Sequence, residues 1–180
     1  MSDTPQSSRP EFSRMVDRRS ITAEPVTLTA TEAECAALAE RFAIVSIERL
    51  KAVVSLEASG EDVHAKGTLE ARVVQSCAVS GDDLQVAISE PLSLHFVPER
   101  ALPDYAPDEE VELSEEELDQ IPYDGTAFDI GEAVAQTLGL AIDPYLEGPN
   151  ADEARRRHGL VEEGEQDGPL AEALRGLKKD

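Results

Sequence analysis

The chain has 180 residues, of which 41% are hydrophobic and 4% aromatic, and it has no tryptophan. Its formal net charge is −22, and residues 101–154 hold 16 of the 38 acidic residues without a single lysine or arginine. Such a charge repels phosphate backbones and attracts cationic partners. The scarcity of aromatic rings leaves little material for stacking on bases. These features exclude broad nucleic acid binding by the whole molecule and predict no DNA partner.

The length favours one domain. Cys35 and Cys77 are too few and too far apart for a disulfide scaffold. The polar N-terminus does not resemble a signal peptide, and no apolar run approaches the roughly 20 residues needed to span a bilayer. We therefore expect a cytoplasmic protein with free thiols and no membrane association.

The first third of the chain predicts one strand and one helix. Residues 1–10 are rich in Ser, Pro and Gln and are expected to be disordered. Apolar and polar side chains alternate in residues 11–16, which predicts a first strand, and the pattern of residues 27–41 is typical of a helix. Thr31 and Glu34 have the spacing of a capping box within that helix.

From residue 44 the apolar period changes to two, which indicates strands. Residues 44–57, 63–74 and 84–97 alternate and are separated by short polar turns. Gly67 is a candidate bulge or kink, and Pro91 predicts a break or an edge in the third strand.

Residues 98–125 form an acidic, proline-punctuated linker, with Ser114 as the N-cap of a short helix. A longer helix is predicted from Asp129, its N-cap, with Glu132 placed as in a capping box. Its apolar stripe covers the sheet and consists of Ile130, Val134, Leu138 and Ala141. The chain beyond residue 148 is charged, and residues 148–180 are expected to be a mobile tail.

These elements predict one α+β domain over residues 11–147. The sheet is an antiparallel meander or a partly open barrel of about four to six strands, covered by about two or three helices.

Known catalytic and metal-binding patterns are absent from the sequence. His64, His95 and His158 are scattered and lack zinc-ligand spacing. Neither a glycine-rich phosphate loop nor a nucleophile elbow occurs. The acidic linker carries carboxylates for a hard cation but lacks the spacing of a calcium loop. We therefore assign no catalytic, cofactor or metal residue and expect no enzyme; a carboxylate-based metal-dependent enzyme is kept as an alternative.

Three segments in order resemble the YceD-like family, the large ribosomal RNA subunit accumulation proteins of bacteria. Residues 71–80 (ARVVQSCAVS) resemble its central strand. Residues 11–14 (EFSR) are similar to the start of alphaproteobacterial-type members, and residues 128–138 (FDIGEAVAQTL) to its later helix. Ser80 stands where many members have a second cysteine, so the resemblance carries no metal or redox role to Cys77. Packing on a strand is the favoured interpretation of that thiol.

The resemblance covers roughly residues 10–150 and gives the candidate motif positions. They are Phe12, Arg14, Cys77, Asp129, Gly131 and Glu132. It implies a non-enzymatic role in ribosome biogenesis: the synthesis, processing or accumulation of large-subunit ribosomal RNA.

The charge pattern suggests how such a factor would work. The expected partners are basic ribosomal or RNA-processing proteins, with an indirect or weak association with ribosomal RNA. The candidate partner surface is Asp108, Glu109, Glu110, Glu115, Glu116 and Glu117. The alternative is direct binding of ribosomal RNA, with candidate contacts Arg14, Arg18, Arg19, Arg155, Arg156 and Arg157.

Overall fold

The computed structural model of the protein describes residues 10–99 and 120–159. The strands in these ranges are β1 (Met15–Asp17), β2 (Val26–Thr29), β3 (Ser46–Ser59), β4 (Asp62–Ser76), β5 (Asp83–Pro98), β6 (Gln120–Tyr123) and β7 (Ala127–Asp129). The α-helices are α1 (Glu32–Arg41), α2 (Ile130–Ala141) and α3 (Ala151–His158). A 3-10 turn at Arg18–Ser20 follows β1.

The strands form two sheets. One has five strands in the order β2-β3-β4-β5-β6, and the other pairs β1 with β7. The predicted α+β class is confirmed, and the larger sheet is open rather than a barrel. β2 to β5 follow chain order as in a meander, but β6 joins β5 in parallel, so the sheet is mixed.

The helix predicted over residues 27–41 begins later than expected. Its capping box is confirmed, because the Thr31 hydroxyl accepts from the Glu34 N–H and the Glu34 carboxylate accepts from the Thr31 N–H. The preceding residues are strand β2, whose Leu28 lies opposite Ala52 of β3. Pairing with β3 satisfies the backbone groups there, so tertiary context decides the conformation of a segment with no strong local preference.

β3 and β4 have one buried and one exposed face. Leu50, Ala52 and Val54 of β3 lie in the core, while the residues between them point outward. The bulge predicted at Gly67 is wrong, since Gly67 pairs in regular register with Val54. The irregularity lies between Ile47 and Arg49 instead.

Pro91 does not break β5, which continues from Asp83 to Pro98. Within the described ranges β6 pairs only with the last four residues, His95 to Pro98. Among the described residues, the side of β5 that faces β6 therefore has no strand partner beside Pro91, and prolines in sheets are found at such edge positions. Within the described ranges Pro91 thus lies at an edge position, and the expectation of a break is wrong.

α2 covers the core, as its apolar stripe predicts. Ile130, Val134 and Leu138 are fully buried, while Ala141 is half-buried at the helix end. α1 packs against β3 and buries Leu38. No helix in the described ranges has the length and apolar character of a membrane span.

The chain divides into two compact units. The larger contains both sheets and the first two helices, and the smaller combines Ser76–Leu84 with the described residues from Pro144 onward. In the smaller unit, helix α3 lies inside the range for which the sequence pattern indicates a tail, and it buries Ala151 and Ala154. Its alanines are too few and too small to produce a recognisable apolar stripe in a charged segment.

Candidate functional site

Five of the six motif positions come together in the larger unit, although they lie more than 100 residues apart in sequence. β1 and β7 pair with Met15 opposite Asp129, which brings the N-terminal segment against the start of α2. We call this group the motif cluster: Phe12, Arg14, Asp129, Gly131 and Glu132.

Asp129 connects the two segments. Its Oδ1 accepts from the backbone N–H of Arg14 at 2.7 Å and from that of Glu132 at 3.1 Å. The N–H of Ile130 in turn donates to the carbonyl of Arg14 at 3.1 Å. One carboxylate therefore caps the helix and also satisfies the backbone of the N-terminal segment.

Gly131 allows the two segments to approach closely. A Cβ at this position would lie 2.5 Å from the carbonyl oxygen of Phe12 and 2.7 Å from the backbone nitrogen of Arg14. Phe12 itself is fully buried. A side chain at position 131 would therefore push the N-terminal segment away from α2.

Arg14 is fully engaged within the fold. Its guanidinium donates to both oxygens of Glu34, at 2.6 and 2.9 Å, and lies 4.5 Å from the centre of the Phe12 ring. The hydrogen bond from Arg14 lowers the pKa of Glu34 to about 2. Such a bidentate pair fixes both side chains.

Glu132 is held in the same way by Arg41, with N–O distances of 2.9 and 2.8 Å, and Arg41 also contacts Glu11 at 3.0 Å. The hydrogen bonds from Arg41 lower the pKa of Glu132. The predicted capping box at α2 is therefore half formed: Asp129 caps the helix, whereas the Glu132 side chain is used by Arg41 and Gln136.

The motif cluster is built to join segments rather than to transfer protons. Glu34 and Glu132 are each paired with an arginine, and their lowered pKa values keep them ionised at neutral pH. A general acid or base needs a pKa near the working pH. The arrangement accounts for these residues as structural positions.

Most of the candidate RNA-contacting arginines also form intramolecular ion pairs. Arg18 contacts Glu61 at 2.9 Å, and Arg19 contacts Asp17 at 2.7 Å. On α3, Arg155 pairs with Glu147 and Asp152, and Arg157 with Glu153. These pairs compete with phosphate for the same guanidinium groups, which makes the arginines weaker RNA contacts than their number suggests.

Cys77 lies in the smaller unit and is 3% exposed. Its sulfur accepts from the backbone N–H groups of Ser80 and Gly148, both at 3.3 Å. The Ser80 hydroxyl and these N–H groups lower the pKa of the Cys77 thiol to about 6. The N–H of Ala78 also donates to the carbonyl of Leu146 at 2.9 Å, so the thiol lies where two segments of this unit join. Cys77 is buried, but it follows the end of β4 at Ser76 and does not lie on a strand.

The six carboxylates of the candidate partner surface lie outside the described residues. Across the described part of the chain, no three His, Cys, Asp or Glu side chains are grouped as a metal site. His64 and His95 stack with ring centres 4.3 Å apart, and His95 contacts Asp62 at 3.4 Å.

The fold and the motif cluster define an α+β protein with an open sheet, in which motif residues fasten the N-terminal segment to a helix. The chain belongs to the YceD family, described as large ribosomal RNA subunit accumulation protein, which matches residues 65–175. Cys77, Asp129, Gly131 and Glu132 fall inside that match, and Phe12 and Arg14 precede it. No curated protein and no solved structure gives a significant match to this chain. The family description places the protein in the accumulation of large-subunit ribosomal RNA.

Some features of the site have no sequence signal. Glu34 and Arg41 complete the motif cluster from a helix 20 or more residues away from Arg14, and only the folded chain reveals those pairs. Gln75 is a buried polar residue whose amide donates to the carbonyl of Asp143 at 2.6 Å. Its position in an alternating strand predicts burial but not its partner.

Proposed function

We propose that this protein is a non-enzymatic accessory factor in ribosome biogenesis that supports large-subunit ribosomal RNA through protein contacts. The partners are basic ribosomal or RNA-processing proteins. The main support for this proposal is the stretch of residues 101–154, which has 16 carboxylates and no lysine or arginine. Carboxylates steer cationic partners and raise their rate of association.

The contacts of the described residues show which carboxylates of this stretch are already used within the chain. In the described part of this stretch, five carboxylates are ion-paired with arginines of the chain or cap a helix: Asp129, Glu132, Glu147, Asp152 and Glu153. Nine further carboxylates lie between residues 101 and 119. We therefore assign the partner surface to that part of the chain, here called the acidic segment, and in particular to its two triplets at residues 108–110 and 115–117.

A salt-dependent pull-down tests this proposal. The full chain should retain basic ribosomal or RNA-processing proteins from a cell extract at about 50 mM salt and release most of them at about 500 mM, because exposed charges are screened at high ionic strength. Neutralising the two triplets should abolish retention. This acidic-segment variant carries Asp108→Asn, Glu109→Gln, Glu110→Gln, Glu115→Gln, Glu116→Gln and Glu117→Gln.

A charge-matched variant provides the control. It neutralises six exposed carboxylates that form no ion pair within the described residues: Glu24, Glu32, Glu40, Asp83, Glu99 and Asp124. It should retain the partners nearly as well as the wild type. Equal loss in both variants would mean that net charge alone attracts basic proteins, and the assignment of the acidic segment would then be wrong.

A further inference from the structure

Most arginines of the described residues are neutralised within the chain, but one group of cations is not. Six arginines form ion pairs: Arg14, Arg18, Arg19, Arg41, Arg155 and Arg157. Four cations on β3 and β4 form no ion pair with any described residue: Arg49, Lys51, Lys66 and Arg72. All four lie on the sheet surface opposite the core, here called the outer face.

The strand register places three of these cations side by side. Arg49 lies directly opposite Arg72, and Lys51 lies opposite Glu70, diagonal to Arg72. Directly opposite side chains have Cβ atoms about 5 Å apart and diagonal ones about 7–8 Å apart. Like charges in directly opposite positions destabilise a sheet. The Arg49–Arg72 pair therefore has a cost to the fold, and neither arginine forms an ion pair within the described residues, although Glu48 and Glu70 lie nearby.

The outer face carries a local excess of positive charge at the Arg49–Arg72 pair. On β3 and β4, four carboxylates (Glu48, Glu57, Asp62 and Glu70) stand against the four cations, so the excess of positive charge is local. Around the Arg49–Arg72 pair, three cations face only Glu48 and Glu70 of these two strands, on a chain of net charge −22. The Debye length at physiological salt is about 8 Å, so distant carboxylates are largely screened at this surface. Its nearest charges then decide which ligand it attracts.

We propose that the outer face around Arg49, Lys51 and Arg72 binds phosphate groups of an RNA backbone. Guanidinium groups hold phosphate in bidentate hydrogen bonds, and two adjacent arginines suit a polyanion better than an isolated carboxylate. A depression of about 250 Å³, lined by both arginines, by Glu70 and by Ser89 of β5, lies at this point.

The same face indicates how RNA is recognised. The exposed residues near the arginine pair include Ala87, Ser89 and Thr68, none of which is aromatic. Without stacking platforms, the contacts go to phosphates and position the RNA without reading its sequence. The choice of RNA over other phosphate ligands rests on the proposed role in ribosomal RNA accumulation. The site itself is distinct from the acidic segment.

Binding of a labelled 20-nucleotide RNA of mixed sequence to the full chain tests the proposal. With about three phosphate contacts on a single strand, log K should fall with log salt with a slope near about −2. The variant Arg49→Gln/Lys51→Gln/Arg72→Gln should weaken binding about tenfold or more at low salt and remove most of that slope. Its urea-unfolding midpoint should equal or exceed that of the wild type, because the like-charged pair is gone.

A charge-matched variant, Arg19→Gln/Arg156→Gln/Arg157→Gln, separates this surface from the other arginines. It should bind RNA about as tightly as the wild type. If it loses binding while the outer-face variant keeps it, the outer face is not the site. If the acidic-segment variant bound RNA and the wild type did not, the chain's own carboxylates would occupy the outer face in the wild type. The proposal that the wild-type protein binds RNA there would then be wrong.

Two carboxylates beside Arg72 allow a test in which RNA binding should become tighter rather than weaker. Glu48, at the irregular position of β3, and Glu70 both lie next to Arg72 at the surface. The variant Glu48→Gln/Glu70→Gln should bind RNA several-fold more tightly. Poly-glutamate peptide serves as the competing ligand: if it binds the wild type and RNA does not, the face belongs to an acidic protein and the proposal fails. The pull-down of basic proteins through the acidic segment does not depend on whether the outer face binds RNA or poly-glutamate. Failure of this proposal can therefore be distinguished from failure of the proposed function.

Discussion

Replacing Gly131 by alanine is expected to lower the free energy of unfolding by about 3 kcal/mol, since overpacking against rigid backbone has costs of that order. The added Cβ would lie 2.5 Å from the carbonyl oxygen of Phe12, which no side-chain rotation relieves. For a chain of this size, the melting temperature should fall by about 9 °C. Thermal unfolding followed by circular dichroism measures it.

A second glycine of the same helix provides the control. At Gly139 a Cβ would meet the edge of the Phe42 ring, which can rotate away, at 2.9 Å. Alanine also has the higher helix propensity, so Gly139→Ala should stay within about 1 kcal/mol of the wild type. If Gly131→Ala and Gly139→Ala had the same melting temperature, the close approach of the N-terminal segment to Gly131 would not matter for stability.

Gly67→Ala should be still more damaging, with a loss of about 4 kcal/mol or more. A Cβ at residue 67 would lie 2.0 Å from the carbonyl oxygen of Val53 and 2.9 Å from the Cα of Val54. β3 and β4, which pair along most of their length, would have to separate near their centre. Urea unfolding should show a much lower midpoint, or no folded state at all.

The neighbouring Thr68 is exposed on the same strand. Thr68→Ala removes some strand propensity without a clash, and it should lower stability by less than about 1 kcal/mol. A Gly67→Ala protein as stable as Thr68→Ala would contradict the packing of β3 on β4.

Local patterns predicted the long elements because their physics is local. The alternation of β3, β4 and β5 and the N-caps at Thr31 and Asp129 all follow from neighbours in sequence. Strand β2 was not predicted from local patterns, because its backbone hydrogen-bonding partners lie in β3. Gly67 shows the same limit: the sequence marks a special position, but only the folded chain shows that Gly67 pairs in regular register and that the Val53 carbonyl approaches it closely.

The candidate site was predictable in part for the same reason. The resemblance identified Arg14, Asp129 and Glu132, and the fold explains them as one joined group. Composition could not show that Arg18 and Arg19 have partners within the chain. Nor could it show that Arg49 and Arg72 stand opposite one another, since that requires the pairing of two strands.

The level of large-subunit ribosomal RNA in depleted cells tests the central proposal most directly. After depletion of the protein, the ratio of mature large-subunit to small-subunit ribosomal RNA should fall and large-subunit precursors should accumulate. The wild type and the charge-matched control should restore the ratio, and the acidic-segment variant should not. Full restoration by the acidic-segment variant, at equal protein level, would contradict a role carried by its carboxylates.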